Sequence, residues 1–422
     1  MNTFPFLTVL ALLPLVGSLL LIGVKGAAAK SVSLVVSLLT LVVAVVIAAR
    51  YSVGGGMQFV EQVSWIKALG AYYALGLDGI GLTLVILVVI VTPVVILASW
   101  NDLDGDQPGS PGATSSSGAS VAPKYDARLF FALVLAVESC ALYLFLATDV
   151  FLFYVFFEVI LVPMYFLIGG FGGARRAYAA SKFLIFGLLG GFVMLASVIG
   201  LYVLSARAGQ PTYLLSDLMR FVAYTSISHF GFIVLGIFAF TSQSLTGSTL
   251  YMLNHGLSTA ALFLVAGYLI KRRGSRDIAD FGGVAKVAPV LAGLMLFAGL
   301  STLSLPGLSS FVSEFMVLAG TFSRHPVYAS VSTLAIVLAA LYILIVYQRT
   351  MTGPVTPQVR DTVTSDLSGR ERLSLVPLVL LIVVLGVFPK PMLDVIEPAV
   401  QTTMQHVGVT DPQPKVSAEG GR

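Results

Sequence analysis

Five titratable side chains in this sequence lie in or beside long apolar runs: Glu138, Glu158, His229, His255 and Glu314. Glu158 is the clearest. It sits in the middle of DVFLFYVFFEVILVPMYFLIGG, Asp149 to Gly170, a run long enough to cross a bilayer. A charge at the centre of a membrane helix costs about 2.5–3.5 kcal/mol on insertion scales. That cost is met in proton or ion pathways and in paired structural charges. Glu138 lies in the run Leu129–Thr148, and a base at the helix edge could equally pair with it. His229 lies in Phe221–Thr241 and His255 in Ser248–Ile270. Imidazoles titrate near physiological pH and suit a relay, but a neutral, hydrogen-bonded histidine tying helices together fits the same positions. Glu314 follows Pro306 and Gly307, which interrupt the apolar pattern of SLPGLSSFVSEFMVLAG. A helix broken inside a membrane is tolerated only where protein or a water-lined cavity satisfies the backbone, and such breaks often lie at transport sites.

Other chemistry is not indicated. His229 and His255 have no partner at metal-ligand spacing. There is no phosphate loop, dinucleotide fingerprint or nucleophile constellation. The one cysteine, Cys140, builds neither an iron–sulfur cluster nor an internal disulfide. No catalytic, cofactor-binding or metal residue is therefore assigned, and this chain is expected to carry no redox centre.

The elements that must position these groups are membrane helices. The 422 residues are 57% hydrophobic and 10% charged, whereas soluble domains carry about 25% charged residues. The sequence predicts an all-α polytopic membrane protein. The formal charge of +4 is no sign of nucleic acid, because the basic residues sit in short loops between apolar runs, the pattern of membrane topology. Further spanning runs are Phe4–Ile22, Ser31–Ala49, Gly79–Ser99, Phe183–Ala206, Val287–Leu303, Ala329–Tyr347 and Leu373–Phe388. The first lacks a basic leader and a clear cleavage site, and reads as a retained helix. The total is about 11–12 transmembrane segments. Residues 1–126 hold the first helices and a Gly/Ser/Pro/Asp-rich loop, 101–126, read as flexible. Residues 127–206 follow, then a junction at 207–220, a second group at 221–347 with its break near 304–310, and a link and last helix at 348–410. The polar tail, 411–422, reads as disordered.

Loop charges expose an irregularity at the junction. With the amino terminus outside, Lys25 and Lys30, Lys124 and Arg128, and Arg175 and Arg176 all fall inside, as the positive-inside rule requires. Counting on through the remaining helices puts KRRGSRD, residues 271–277, outside, and Arg349 to Arg372 with it. An odd number of spanning helices missing between Ala206 and Phe221 restores the rule. Inverted insertion of the second half, or a re-entrant link at 207–220, would also account for the count.

Six stretches carry a family resemblance: YYALGLDGIGLTL (72–84), FYVFFEVILVPMYFLIG (153–169), GGARRAYAASKF (172–183), RFVAYTSISHFGFIVLGIF (220–238), LYMLNHGLSTAALFLVAGYL (250–269) and LSLPGLSSFVSEFMVLAGTF (303–322). Together they resemble the antiporter-like membrane subunits of proton-pumping NADH:quinone oxidoreductase, respiratory complex I. The match is to the M type, counterpart of mitochondrial subunit 4. The resemblance implies a fourteen-helix fold of two inverted five-helix repeats, each with one broken helix. It implies that Glu158 is the fifth-helix glutamate that pairs with a lysine on the first broken helix. It also implies that Glu138, His229, His255 and Glu314 are the other members of a proton path. After YLLSDL this chain departs from the family, passing directly to MRFVAYTS and lacking roughly a hundred residues, about three helices, with both pathway lysines.

The implied function is that of a membrane subunit contributing part of a proton route, coupled to electron transfer elsewhere. NADH, FMN, iron–sulfur clusters and quinone would belong to partner subunits. The partners would be the other membrane-arm subunits and the lipid bilayer, with no nucleic acid, in the bacterial inner membrane. Two alternatives stand beside it: a subunit of a multisubunit sodium–proton antiporter, and a non-pumping or unstable internally deleted variant.

Overall fold

A computed structural model describes residues 4–24, 28–67, 70–101, 125–173, 175–207, 231–275 and 277–412. Most of the 101–126 loop, most of the 207–220 junction, His229 and the tail from residue 413 lie outside the described residues.

Helices dominate, and their ends define two faces of the bundle. Helix α1 (Phe6–Gly23), α2 (Ala28–Arg50), α3 (Gly79–Ala98) and α4 (Ala127–Leu146) pack together. Helices α5 (Val150–Val159) and α6 (Leu161–Phe171) form one bent span. Pro163 has no N–H to give the Val159 carbonyl, so the helical ladder is interrupted at Ile160. Next come α7 (Arg176–Arg207), α8 (Gly231–Phe238) and α9 (Ser242–Arg273), then α10 (Pro289–Thr302), α11 (Ser309–Arg324), α12 (Pro326–Met351) and the short α13 (Pro357–Thr362). The chain closes with α14 (Gly369–Val387) and α15 (Lys390–Val407), which bend by 71° at their junction. Among the described residues eight helices are long and apolar enough to cross a membrane, or nine with that bent pair. The shorter α8, α10 and α11 account for the gap to the count expected from sequence. Helices α7 and α12 leave Ile185, Phe186, Leu189, Val331, Leu334 and Val337 exposed, as a hydrocarbon environment permits.

Two elements were not legible as such. The polar link after α2 contains an antiparallel hairpin, β1 (Gln58–Ile66) and β2 (Ala71–Leu77), with Val63 opposite Tyr73 and Gly70 at φ 67° in the turn. It anchors three helices. The Glu61 carboxylate accepts the N–H groups of Leu7 (2.7 Å) and Thr8 (3.1 Å), capping α1, whose own N-cap, Pro5, has no side chain to do so. Buried Asp149 accepts the Tyr72 N–H at 3.0 Å and the Leu152 N–H at 2.9 Å, tying β2 to the start of α5. Asp78 caps α3 through the Gly81 N–H at 2.7 Å. The second element is α15, an amphipathic helix beyond the run Leu373–Phe388. Its Ile396, Val400 and Met404 are buried, and its Val395 carbonyl packs so closely on Gly79 that any Cβ there would clash.

The basic loops gather at one end. The end of α1, the starts of α2 and α4 and the end of α3 share one apolar cluster containing Leu21, Ala29, Ile96 and Phe131. Phe171, just before Arg175 and Arg176, stacks edge-on against Phe130 at 5.2 Å. Ala98 at the end of α3 joins a second cluster with Tyr268 and Leu269 of α9, Met351 of α12 and Leu375 of α14. Arg272, within KRRGSRD, therefore lies at the same end as Lys30, Arg128, Arg176, Arg349 and Arg370. The hairpin, α15 and the start of α9 occupy the far end, where the Ser242 N–H donates to Asp411 at 2.7 Å. Helix α7 reaches that far end too, with Val198 packed on Ala71 of the hairpin.

Arg272 holds the basic end together. Its guanidinium donates to both oxygens of Glu371 (2.6 and 3.1 Å) and to the carbonyls of Tyr268, Ser365 and Asp366. Asp366 in turn accepts the Val290 and Leu291 N–H groups at 2.7 and 3.0 Å, capping α10. Arg272→Ala leaves Glu371 buried without its cation, a loss of about 3–5 kcal/mol. A lower thermal midpoint of the purified protein in detergent is expected, with Arg272→Lys intermediate because an ammonium does not span both oxygens and three carbonyls.

Candidate functional site

Helix α9 presents Tyr251, Asn254, His255, Ser258 and Thr259 at helical spacing on one side. Opposite stand α10, α11 and the break between them. Helix α10 ends at Leu303, and Ser304 takes the left-handed conformation, φ 57°, where glycine is usual. The Leu305 N–H reaches back to the Leu300 carbonyl at 3.1 Å, and Pro306 prevents the helix from resuming. This places Ser301, Ser304, Ser309, Ser310, Ser313 and Glu314 along α9.

The resulting seam is polar, with Asn254, Ser258 and the serines opposite buried and Tyr251, His255 and Thr259 half-buried. Tyr251 donates its hydroxyl to Glu314 Oε1 at 2.9 Å. Its ring centroid lies 5.6 Å from that of His255, whose Nε2 is 3.4 Å from the Thr259 hydroxyl. Asn254 Nδ2 donates to the Ser309 carbonyl at 2.7 Å and to Ser313 Oγ at 3.1 Å. Ser258 Oγ lies 2.6 Å from Ser301 Oγ and 3.1 Å from Ser310 Oγ. Small residues let the backbones approach: a Cβ on Gly247 would meet the Val317 nitrogen, and one on Gly320 the Ser244 nitrogen. Asn254 Oδ1 and Ser309 Oγ are buried without protein partners, and Ser304 Oγ lies beside the Glu314 carboxylate. Buried polar atoms of this kind are ordinarily satisfied by water.

The other candidates are dispersed. Glu138 on α4 is 2% exposed, and neither of its carboxylate oxygens has a hydrogen-bond partner. The nearby Thr92 hydroxyl donates to the Val88 carbonyl instead. Helix α3 separates Glu138 from His255, its Leu87 resting on Gly256. Glu158 faces α7, and its Oε1 is buried and unpartnered. A Cβ on Gly191 would collide with that oxygen, so an alanine there would push this end of a flexible side chain aside. Among the described residues no cation pairs with Glu158. Lys182 instead lies over the rings of Tyr178 and Phe186, 5.9 and 5.8 Å from their centroids. The structure thus joins Glu314 to His255 through Tyr251 and leaves Glu138 and Glu158 apart. Tyr251, Asn254 and the serines were not singled out from sequence, although their i, i+3, i+4, i+7 spacing within an apolar run marked them. Among the described residues no group of three His, Cys, Asp or Glu side chains could hold a metal ion.

A bundle with a broken helix against a polar seam is the architecture of an antiporter-like membrane subunit, and comparison with known proteins agrees. The profile described as "NADH:quinone oxidoreductase/Mrp antiporter, TM" matches residues 147–214 and 211–342. NADH-quinone oxidoreductase subunit M of Mycobacterium tuberculosis is 42% identical, over 99% of this chain and 97% of its own. Chain 4 of NADH-ubiquinone oxidoreductase of Arabidopsis thaliana is 27% identical over 94% and 96%. Respiratory complex I from Thermus thermophilus contains a chain that superposes with TM-score 0.78 at 23% identity, covering 96% of this chain and all of that one. A chain of the Mrp complex from Dietzia superposes with TM-score 0.74 at 17% identity, over 96% of this chain and 100% of its own. The chain belongs to the subunit M family of NADH:quinone oxidoreductase membrane subunits. The mycobacterial match runs over 541 residues although this chain has 422, so more than a hundred positions have no counterpart in it.

Gly191→Ala is expected to displace the Glu158 carboxylate and to lower stability only slightly, by about 1 kcal/mol at the low end of overpacking, because the group it meets is the free end of a flexible side chain. Adding Glu158→Ala should restore most of the loss. A double-mutant cycle measures this, and additive effects would contradict the contact.

Proposed function

We propose that the chain is a membrane-arm subunit of a proton-translocating NADH:quinone oxidoreductase in the bacterial inner membrane. In this reading it carries one half of a proton route and lacks the switch of the other half. The observation that carries the proposal is the seam Glu314–Tyr251–His255, set against a broken helix in a chain that belongs to the subunit M family. Glu314 holds or releases a proton, Tyr251 links its carboxyl to the histidine, and the unpartnered amide and serine oxygens give water places to bind. Helix α3 stands between this seam and Glu138. NADH, FMN, iron–sulfur clusters and quinone belong to partner subunits, and this chain contributes proton movement alone.

The interruption lies between Arg207 and Gly231. Helix α7 runs toward the far end, and α9 starts there and returns to the basic end. An odd number of crossings absent from this connection reconciles the family's topology with the single basic end, which is taken as cytoplasmic. Two observations support it: the family profile matches in two pieces that meet at 211–214, and the mycobacterial match is longer than the chain. Glu158 is then an ion-pair carboxylate whose cation is missing, and motion of a cation against it cannot switch its proton affinity.

The sodium–proton antiporter reading rests on the shared fold with the Mrp chain and is the weaker of the two. The deciding experiment reconstitutes the complex containing this chain in liposomes and records protons moved per NADH. The expected result is NADH:quinone turnover with a lower proton ratio than the same complex carrying an uninterrupted subunit. An undiminished ratio would overturn the broken route, and sodium-dependent proton exchange without NADH oxidation would favour the antiporter.

A further inference from the structure

A cavity of about 620 Å³ opens at the basic end beside the last turn of α12, away from the proton seam. Asp277, Ile278, Ala279, Phe281 and Arg349 line it. Its rim is held in place. The Gly283 N–H donates to the Thr352 carbonyl at 2.9 Å, and the Thr356 N–H reaches the Gly282 carbonyl at 3.4 Å. The backbones approach so closely that a Cβ on Gly283 would meet the Pro354 carbonyl. Phe281 is packed into the apolar cluster that holds Tyr268 and Met351. Two opposite charges on this rim are left unspent. Other cations at this end are engaged: Arg272 by Glu371, Arg273 by the Asp280 carbonyl at 3.0 Å and Arg372 by the Leu367 carbonyl at 3.0 Å. Arg349 has no hydrogen bond or ion pair among the described residues. Asp277 Oδ1 accepts the Ala279 N–H at 3.1 Å, while its Oδ2 has no partner among them. The neighbouring acid, Asp280, is taken by Ser275 and Arg273. Toward the membrane interior from Arg349, Ile345, Leu341, Leu334 and Val331 follow on the same side of α12, all exposed. From Ile345 to Leu334 the helix rises about 16 Å, close to the hydrocarbon of one leaflet, about 15 Å.

We propose that this cavity binds the headgroup of phosphatidylethanolamine, with an acyl chain lying along the exposed face of α12. The Arg349 guanidinium takes the phosphate, which its planar fork suits. Asp277 accepts N–H bonds from the ammonium. A headgroup with one negative and one positive charge matches the one cation and one anion on the rim. Phosphatidylglycerol brings no cation and would leave Asp277 facing a phosphate. The trimethylammonium of phosphatidylcholine has no N–H to give. The inference concerns how the chain holds its lipid and does not rest on proton transport.

The test uses the full chain, in its native assembly, in liposomes doped with phospholipids that carry a diazirine on one acyl chain. Three probes share that chain and differ in headgroup: ethanolamine, choline or glycerol. After irradiation, peptide mass spectrometry gives the labelling of α12 relative to α7, whose exposed Ile185, Phe186 and Leu189 report bulk lipid. The ethanolamine probe is expected to favour α12 over α7 and the other two are not. Arg349→Gln should lower the ethanolamine ratio about fivefold, as for one cation at a membrane surface. Asp277→Asn keeps the Ala279 bond and should abolish the preference of ethanolamine over glycerol. Both side chains are exposed, and the ratio is taken within one chain, so changes in yield cancel. Equal ratios for the three headgroups, a preference for glycerol, an unchanged ratio in Arg349→Gln, or no labelling of α12 by any probe would overturn the proposal.

Discussion

The bundle depends on the grip of Arg272 at its basic end. One guanidinium closes on Glu371 and three carbonyls, and the loop it holds caps α10 through Asp366. This fixes the end of α9, the starts of α10 and α14 and the loop before α14 in one place. From there α10 and α11 run antiparallel to α9, and the register of that packing decides which side chains meet. Serines, Asn254 and Tyr251 face the break in a register to which Arg272 contributes by joining the end of α9 to the start of α10. A planar fork with five donors suits this task better than an ammonium would.

Polar groups inside a membrane bundle are costly unless they bond one another. The seam meets that requirement with short hydroxyl contacts, Ser258 to Ser301 and Ser310, and with the Tyr251–Glu314 bond. It leaves a few oxygens over, which the proposed function gives to water. Glu158 is in a different position. Its carboxylate lies against Gly191, yet among the described residues nothing supplies the opposite charge. In the proposed reading its cation belongs to the crossings absent between Arg207 and Gly231.

Much of this was legible in the sequence. Spans such as Gly79–Ala98 and Ala127–Leu146 follow from apolar length alone, and Pro306–Gly307 marked the broken helix. Loop charges alone put the count of crossings in question for the second half, and the apolar clusters place Arg272 at the end that also holds Arg128 and Arg176. The hairpin was not legible, because its first strand is mostly exposed and carries polar residues that read as a link. Nor was α15, whose apolar stripe is too sparse to resemble a span. Ser304 in a left-handed conformation and the Tyr251 bridge depend on tertiary packing, since only the fold decides which of many hydroxyls meets Glu314. His229 lies outside the described residues, and its part in the site rests on the family resemblance.

The loops that carry Lys30, Arg128, Arg176, Arg272, Arg349 and Arg370 share one face although the chain between Arg207 and Gly231 is short, while Arg50, Arg324 and Lys390 lie at the other. Sidedness of labelling tests it most directly. With Cys140 replaced by alanine, single cysteines at Asp126, Ser275 and Gln62 are exposed in turn to a membrane-impermeant maleimide, in right-side-out and inverted vesicles. Asp126→Cys and Ser275→Cys are expected to react from the cytoplasmic side and Gln62→Cys from the other. Labelling of Asp126→Cys and Ser275→Cys from opposite sides would contradict it.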